Sequence, residues 1–147
     1  MALILNGKEV ADTLKQKITQ EVSEMVANGH RAPHLVAILV GNDGGSQTYV
    51  AAKEKACHEV GFAGSVIRYD ATLTEEELLA KIAEINQDPE IDGLIVQLPL
   101  PKHINETRIT QAILPEKDVD GFHIASAGAL MVGQPGFWPC TPYGCMK

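Results

Sequence analysis

Three short apolar runs separated by helical patterns constrain this chain more than any other feature. Leu35 to Val40, Phe62 to Tyr69 and Gly93 to Val96 are of strand length. The first is apolar at consecutive positions, as a strand covered on both faces should be. From Glu9 to Ala27, Val10, Leu14, Ile18, Val22 and Met25 recur every three or four positions, and Asn28-Gly29 supplies a stop. Ser46 reads as the N-cap of a helix that reaches Val60 and ends at Gly61. Thr74-Glu75-Glu76-Glu77 is a capping box ahead of the stripe Leu78, Ile82, Ile85. Asn105 caps a further helix, with Ile104 and Ile109 stapling its start. Residues 2–6 read as a short opening strand. The alternation predicts an α/β fold: three layers, αβα, with a mostly parallel sheet and helices on both faces.

At 147 residues the chain suits one domain with a real core. Hydrophobic residues at 45% and charged residues at 21% exclude a disordered chain. The net charge of -7 gives no support to a nucleic-acid partner, because phosphate neutralisation needs basic clusters. No apolar run approaches the roughly 20 residues of a membrane span, and Met1 to Leu5 is too short for a signal sequence. Cys57, Cys140 and Cys145 form an odd set without zinc-ligand spacing, which fits reduced thiols in the cytoplasm. Past Gly121 the texture changes. Ala125 to Ala129 is small-residue sequence compatible with a helix, Gly133 to Pro142 is rich in Gly and Pro, and Thr141-Pro142 reads as the start of another helix. The expected division is a domain over residues 1–123 and a linker segment with a helix start over 124–147.

Strand-exit loops of open α/β sheets gather at one edge, where ligands bind. Two such loops here carry chemistry. One is Gln97-Leu98-Pro99-Leu100-Pro101, directly after Val96; the other holds Asp118, Asp120 and His123. Gln97 can both donate and accept hydrogen bonds, which suits either positioning work or satisfaction by its own loop. Asp118 and Asp120 lie two apart, so one enters the cleft while the other caps or meets Lys117. Tyr49 and Lys53, at i and i+4, share a helix face and form either a site pair or an ordinary surface pair. Gly41 to Ser46 lacks the G-x-G-x-x-G fingerprint and no Gly-Lys-Ser/Thr follows, so a tight turn explains its glycines better than a dinucleotide does. His103 and His123 lack metal-ligand spacing, and no metal is expected.

In order, these residues resemble one family: the bifunctional methylenetetrahydrofolate dehydrogenase/methenyltetrahydrofolate cyclohydrolases. Four stretches carry the match: Val40-Gly41 through Ser46 to Tyr49-x-x-x-Lys53; Asp92 to Pro101; Pro115 to His123; and Pro139-Cys140-Thr141-Pro142-x-Gly144. The chain departs from the family pattern at Asp43-Gly44-Gly45-Ser46 and at Ile124 to Gly128, both at loops or loop edges. The resemblance implies an amino-acid-dehydrogenase-like N-terminal domain acting in tetrahydrofolate one-carbon metabolism and purine biosynthesis. It implies oxidation of methylenetetrahydrofolate with NADP or NAD, then hydrolysis of the cationic methenyl product.

It further implies that Lys53, Gln97, Tyr49 and Asp120 are catalytic. Lys53 would be the key lysine, Gln97 would position it, Tyr49 would pack on the folate, and Asp120 would recognise the pterin through two acceptor oxygens. Tyr49, Val50, Ala51, Ala52, Lys53, Val96, Gln97, Leu98, Pro99 and Asp120 would line the folate site. Family members continue with a Rossmann domain for the nicotinamide cofactor, which nothing in these residues resembles, so the chain is expected to be the folate half, a monomer cut from a homodimeric enzyme. A non-catalytic folate-binding module, or the substrate domain of another two-domain dehydrogenase, is the alternative reading.

Overall fold

The computed structural model describes residues 6–147. The opening strand expected over residues 2–6 therefore lies outside the described residues, except for Asn6, whose side chain accepts from Lys8 N and caps the first helix. That helix, α1, spans Gly7–Ala27. It is followed by β1 (His34–Val40), α2 (Gly44–Val60), β2 (Ala63–Tyr69), α3 (Glu75–Gln87), β3 (Gly93–Val96), α4 (Glu106–Ala112), α5 (Ile124–Met131) and α6 (Cys140–Cys145).

The three strands form one parallel sheet in the order β2-β1-β3. Since strand side chains alternate between faces, β1 builds two cores at once. Val36, Ile38 and Val40 pack with Leu78, Ile82 and Ile85 of α3 and Ile109 of α4. Ala37 and Leu39 face the other way, onto Val50 of α2. Helices thus cover both faces, as the alternation of apolar runs predicted.

Local chemistry sets the element ends. Thr74 and Glu77 form the expected reciprocal capping box, and Asn105 accepts from Arg108 N to start α4. The start of α2 corrects the sequence reading. Its cap is Asp43, whose carboxylate accepts from Ser46 N at 2.8 Å, while Ser46 is buried in the first turn and donates Oγ to the same oxygen. A carboxylate three residues upstream reaches the free amide better than the Ser46 hydroxyl could, because Ser46 is already helical. Gly64, which weakened the strand pattern, has a packing reason: a Cβ there would meet Cys57 Cβ at 2.9 Å, so its absence lets α2 lie close on β2. Among the described residues α1 buries only Val22 of its apolar stripe, with Val10, Leu14, Ile18 and Met25 partly exposed, and it packs chiefly on α2.

Beyond β3 the chain makes one more parallel bridge, Leu94 to Asp118, with Leu94 N donating to Lys117 O at 2.8 Å. The 117–121 loop is thereby laid along the sheet edge. The Gly- and Pro-rich stretch returns to it. Gly121 (φ +74°) lies so close to Trp138 and Pro139 that a Cβ would sit 2.8 Å from their backbone atoms.

Candidate functional site

Gln97 continues the pairing of β3 by one residue, its N–H donating to Ile38 O at 2.9 Å. The sheet therefore fixes where its side chain begins. Its amide NH2 donates to Leu98 O at 2.8 Å, which leaves Oε1 to face α2. There it accepts from Lys53 Nζ at 3.1 Å, across 44 residues of sequence. Lys53 and Gln97 are both half-buried. Tyr49 stands one helical turn before Lys53 and is 66% exposed.

Asp120 is the third member. Burial pushes its carboxyl above the usual carboxylate range; the Lys53 charge opposes that shift and the neighbouring Asp118 adds to it. Asp120 thus lies within the field of Lys53. The two aspartates have different surroundings. Asp118 is 1% exposed and accepts from His123 N (2.8 Å), Phe122 N (3.3 Å) and Ser126 Oγ (3.0 Å). Lys117 does not meet either carboxylate; its Nζ donates to Ile85 O and Asp88 O at the end of α3. His123 caps α5, Nδ1 accepting from Ala125 N at 3.0 Å, which leaves it a structural task.

The remaining expected lining residues divide. Ala51 and Ala52 are exposed on α2, Pro99 is exposed after β3, and Leu98 is half-buried against the α3-side core. The side chains of Val50 and Val96 point into the two cores and support the site from beneath. Cys140 is a residue the sequence reading passed over as a reduced thiol. Its Sγ lies 3.4 Å from Val119 O, and burial, followed by the charge of Asp120, pushes the thiol up. The signal was present in the Pro-Cys-Thr-Pro run, but nothing in spacing alone brings residue 140 back to residue 120. Grooves lined by Leu79, Asn105, Arg108 and Gln111, and by Asp12, Lys15 and Glu59, run over the outer helix faces and do not include this cluster.

Comparison with known proteins gives the family of the chain. The sequence model of the family described as tetrahydrofolate dehydrogenase/cyclohydrolase, catalytic domain, matches residues 5–120. The chain belongs to this family. Proteins named bifunctional protein FolD are similar throughout: the one from Porphyromonas gingivalis is 54% identical over 98% of this chain, and that from Cupriavidus metallidurans 53% over 99%. Solved structures agree. A 5,10-methylenetetrahydrofolate dehydrogenase from the silkworm, Bombyx mori, superposes with a TM-score of 0.93 at 45% identity over 96% of the chain. The Trypanosoma brucei dehydrogenase-cyclohydrolase, solved with NADP and an inhibitor, gives a TM-score of 0.93 at 32% identity over 99%. The chain spans about half the length of these relatives: 49% and 51% of the two FolD proteins, and 49% and 50% of the two solved chains. Among the described residues of this family member, no helix is long and apolar enough to cross a membrane.

Proposed function

We propose that this chain carries the folate-binding and hydrolytic centre of a methylenetetrahydrofolate dehydrogenase/methenyltetrahydrofolate cyclohydrolase. The observation that carries the reading is the Lys53 Nζ to Gln97 Oε1 hydrogen bond with Asp120 in the same field. Asp120 recognises the pterin: its two oxygens accept from a ring N–H and the exocyclic amine, a bidentate pairing. Tyr49 covers the folate from the exposed side. Val50 and Val96 stiffen the floor, while Ala51, Ala52, Leu98 and Pro99 shape the rim.

Hydrolysis of the methenyl cation adds water to its amidinium-like carbon, and the attacking water must lose one proton. Lys53 Nζ, held beside the cleft by Gln97, is the group that accepts that proton. Gln97 accepts an N–H of Lys53, which turns the nitrogen lone pair away from β3 and toward the cleft. The amide dipole also keeps the lysine in place when it becomes charged.

The NADP held by the trypanosomal relative does not fit the turn before α2. The Asp43 carboxylate occupies the Ser46 amide that a phosphate would need, and brings negative charge to that helix start. The reading assigns the cofactor, NADP or NAD, and a homodimer contact to the part of the longer relatives that this chain does not span. Residues 124–147 lead toward that part, and the setting is the cytoplasm.

The test is methenyltetrahydrofolate hydrolysis by the chain, wild type against Lys53→Met, with tetrahydrofolate binding measured alongside. The expected result is acceleration over buffer that the variant loses while it keeps binding. Absence of folate binding by the wild type would overturn the reading.

A further inference from the structure

A lysine ammonium only donates, so Lys53 can meet only the Oε1 end of the Gln97 amide, which it does at 3.1 Å. The NH2 end must then face an acceptor, and it finds Leu98 O at 2.8 Å. The position of that one carbonyl therefore decides which way the amide points. Leu98 lies past the end of β3, and Pro99-Leu100-Pro101 follows it. Neither proline has an N–H, so Leu100 carries the single backbone donor of these three residues. That donor goes to Glu106 Oε1 at 2.8 Å. Between the Leu98 carbonyl and the Leu100 N–H lie two planar peptides and the Pro99 ring, which fixes φ. One soft torsion, ψ of Pro99, is left. Fixing the Leu100 N–H therefore leaves Leu98 O little freedom.

Glu106 reaches back from a firm base. It is the first residue of α4, next to the Asn105 cap, whose N–H donates to Glu75 Oε2 of α3 at 2.6 Å. Ile104 and Ile109, on either side of it, are buried in the α3-side core. Charge at a helix start accounts for an acid at this position. It does not account for an acid turned back onto Leu100.

We propose that Glu106 is a positioning residue for the hydrolysis: its tether on the Leu100 N–H fixes Leu98 O, which orients the Gln97 amide that holds Lys53. The inference rests on the proposed folate reading for the reaction, and not for the geometry. Without the tether ψ of Pro99 turns more freely, Leu98 O leaves the amide, and Gln97 holds Lys53 in a smaller share of the molecules. Turnover falls, while ligand affinity, which the reading gives to Asp120, is kept. The effect runs only through Gln97. A merely structural role would lower activity to the same extent whether or not residue 97 is glutamine.

The experiment uses the whole chain as Glu106→Ala, which removes the tether, and as Glu106→Gln, which keeps an oxygen acceptor at the same reach and discards the charge. Each is made in the wild type and in Gln97→Leu. Methenyltetrahydrofolate hydrolysis gives kcat and KM. The side-chain NH2 signals of Gln97, identified by their loss in Gln97→Leu, are read by NMR without ligand. For Glu106→Ala we expect kcat to fall by about tenfold at nearly constant KM. The Gln97 NH2 signals should shift, and in Gln97→Leu the same substitution should cost no further kcat. Glu106→Gln should restore both the rate and the signals. Equal losses of kcat in the two backgrounds, unmoved Gln97 signals, or failure of Glu106→Gln to restore either one overturns the proposal. Should the wild type hydrolyse no methenyltetrahydrofolate, the folate reading fails, while the Gln97 signals still decide the role of Glu106. Should Glu106→Ala not fold, Glu106→Asp, one methylene shorter in reach, takes its place with the same expected results.

Discussion

Lys53 Nζ and Gln97 Oε1 lie 3.1 Å apart, although α2 and the β3 exit loop are separated by 44 residues of sequence. Each partner is held independently, Lys53 by its helix and Gln97 by a ladder bond to Ile38 O and a side-chain bond to Leu98 O. Replacing Gln97 by Leu keeps the volume and removes the hold on the lysine. Methenyltetrahydrofolate hydrolysis should fall by about 10²-fold, the lower range for a general acid–base contribution. Tetrahydrofolate affinity should change less, since the proposed reading gives recognition to Asp120; a variant with unchanged hydrolysis would remove Gln97 from the chemistry.

Asp120 should act against stability while serving binding. Its folded carboxyl is raised by burial, so it favours the folded state only while protonated and loses that contribution as pH rises through its folded value. Asp120→Asn should therefore melt above the wild type at pH 7, and the two should converge as pH falls below about 4. The gain should be a few degrees at most, because 1 kcal/mol moves the Tm of a chain this size by about 2–4 °C. A lower Tm for Asp120→Asn at pH 7 would contradict this.

Asp92 should behave in the opposite sense. The Arg31 guanidinium holds its carboxyl below the usual range against the effect of burial, and the His34 N–H adds to that. A depressed folded value contributes stability above the unfolded pKa, lost as pH falls through the folded one. Thermal melts of Asp92→Asn should show a deficit at pH 7 that shrinks below about pH 4. Because both side chains are partly exposed, added salt should also reduce it. A deficit independent of pH would point to lost turn geometry and not to charge.

Gly121→Ala tests the return of the Gly- and Pro-rich stretch. The residue has φ +74°, and its missing Cβ would meet the backbone of Trp138 and Pro139, which cannot rotate aside. The substitution should cost about 1–3 kcal/mol from backbone strain alone. It should also change the fluorescence of Trp138, the single tryptophan of the chain. Wild-type stability and emission would mean that the stretch does not hold to the loop.

Much of this was legible because the signals were local. Thr74 with Glu77, and Asn105 with Arg108, satisfy helix amides a few residues away, so the pattern states the bond. The parallel sheet followed from apolar runs alternating with helical stripes, and β1 feeds both cores as its continuous apolar character required. Asp43 was missed as a cap because Ser46 offered the same chemistry at a nearby position, and only backbone angles separate the two. Cys140 beside Asp120 was not legible from spacing, because it depends on a loop return fixed by one glycine contact. The burial of Asp118 was likewise hidden, since its donors lie on a helix start that composition alone does not define.

The most direct measurement is a calorimetric titration of tetrahydrofolate into the 147-residue chain, wild type against Asp120→Ala. The account predicts saturable binding by the wild type and a loss of tenfold or more in the variant, about 1.4 kcal/mol or above. Equal binding by both, or none by the wild type, would contradict it.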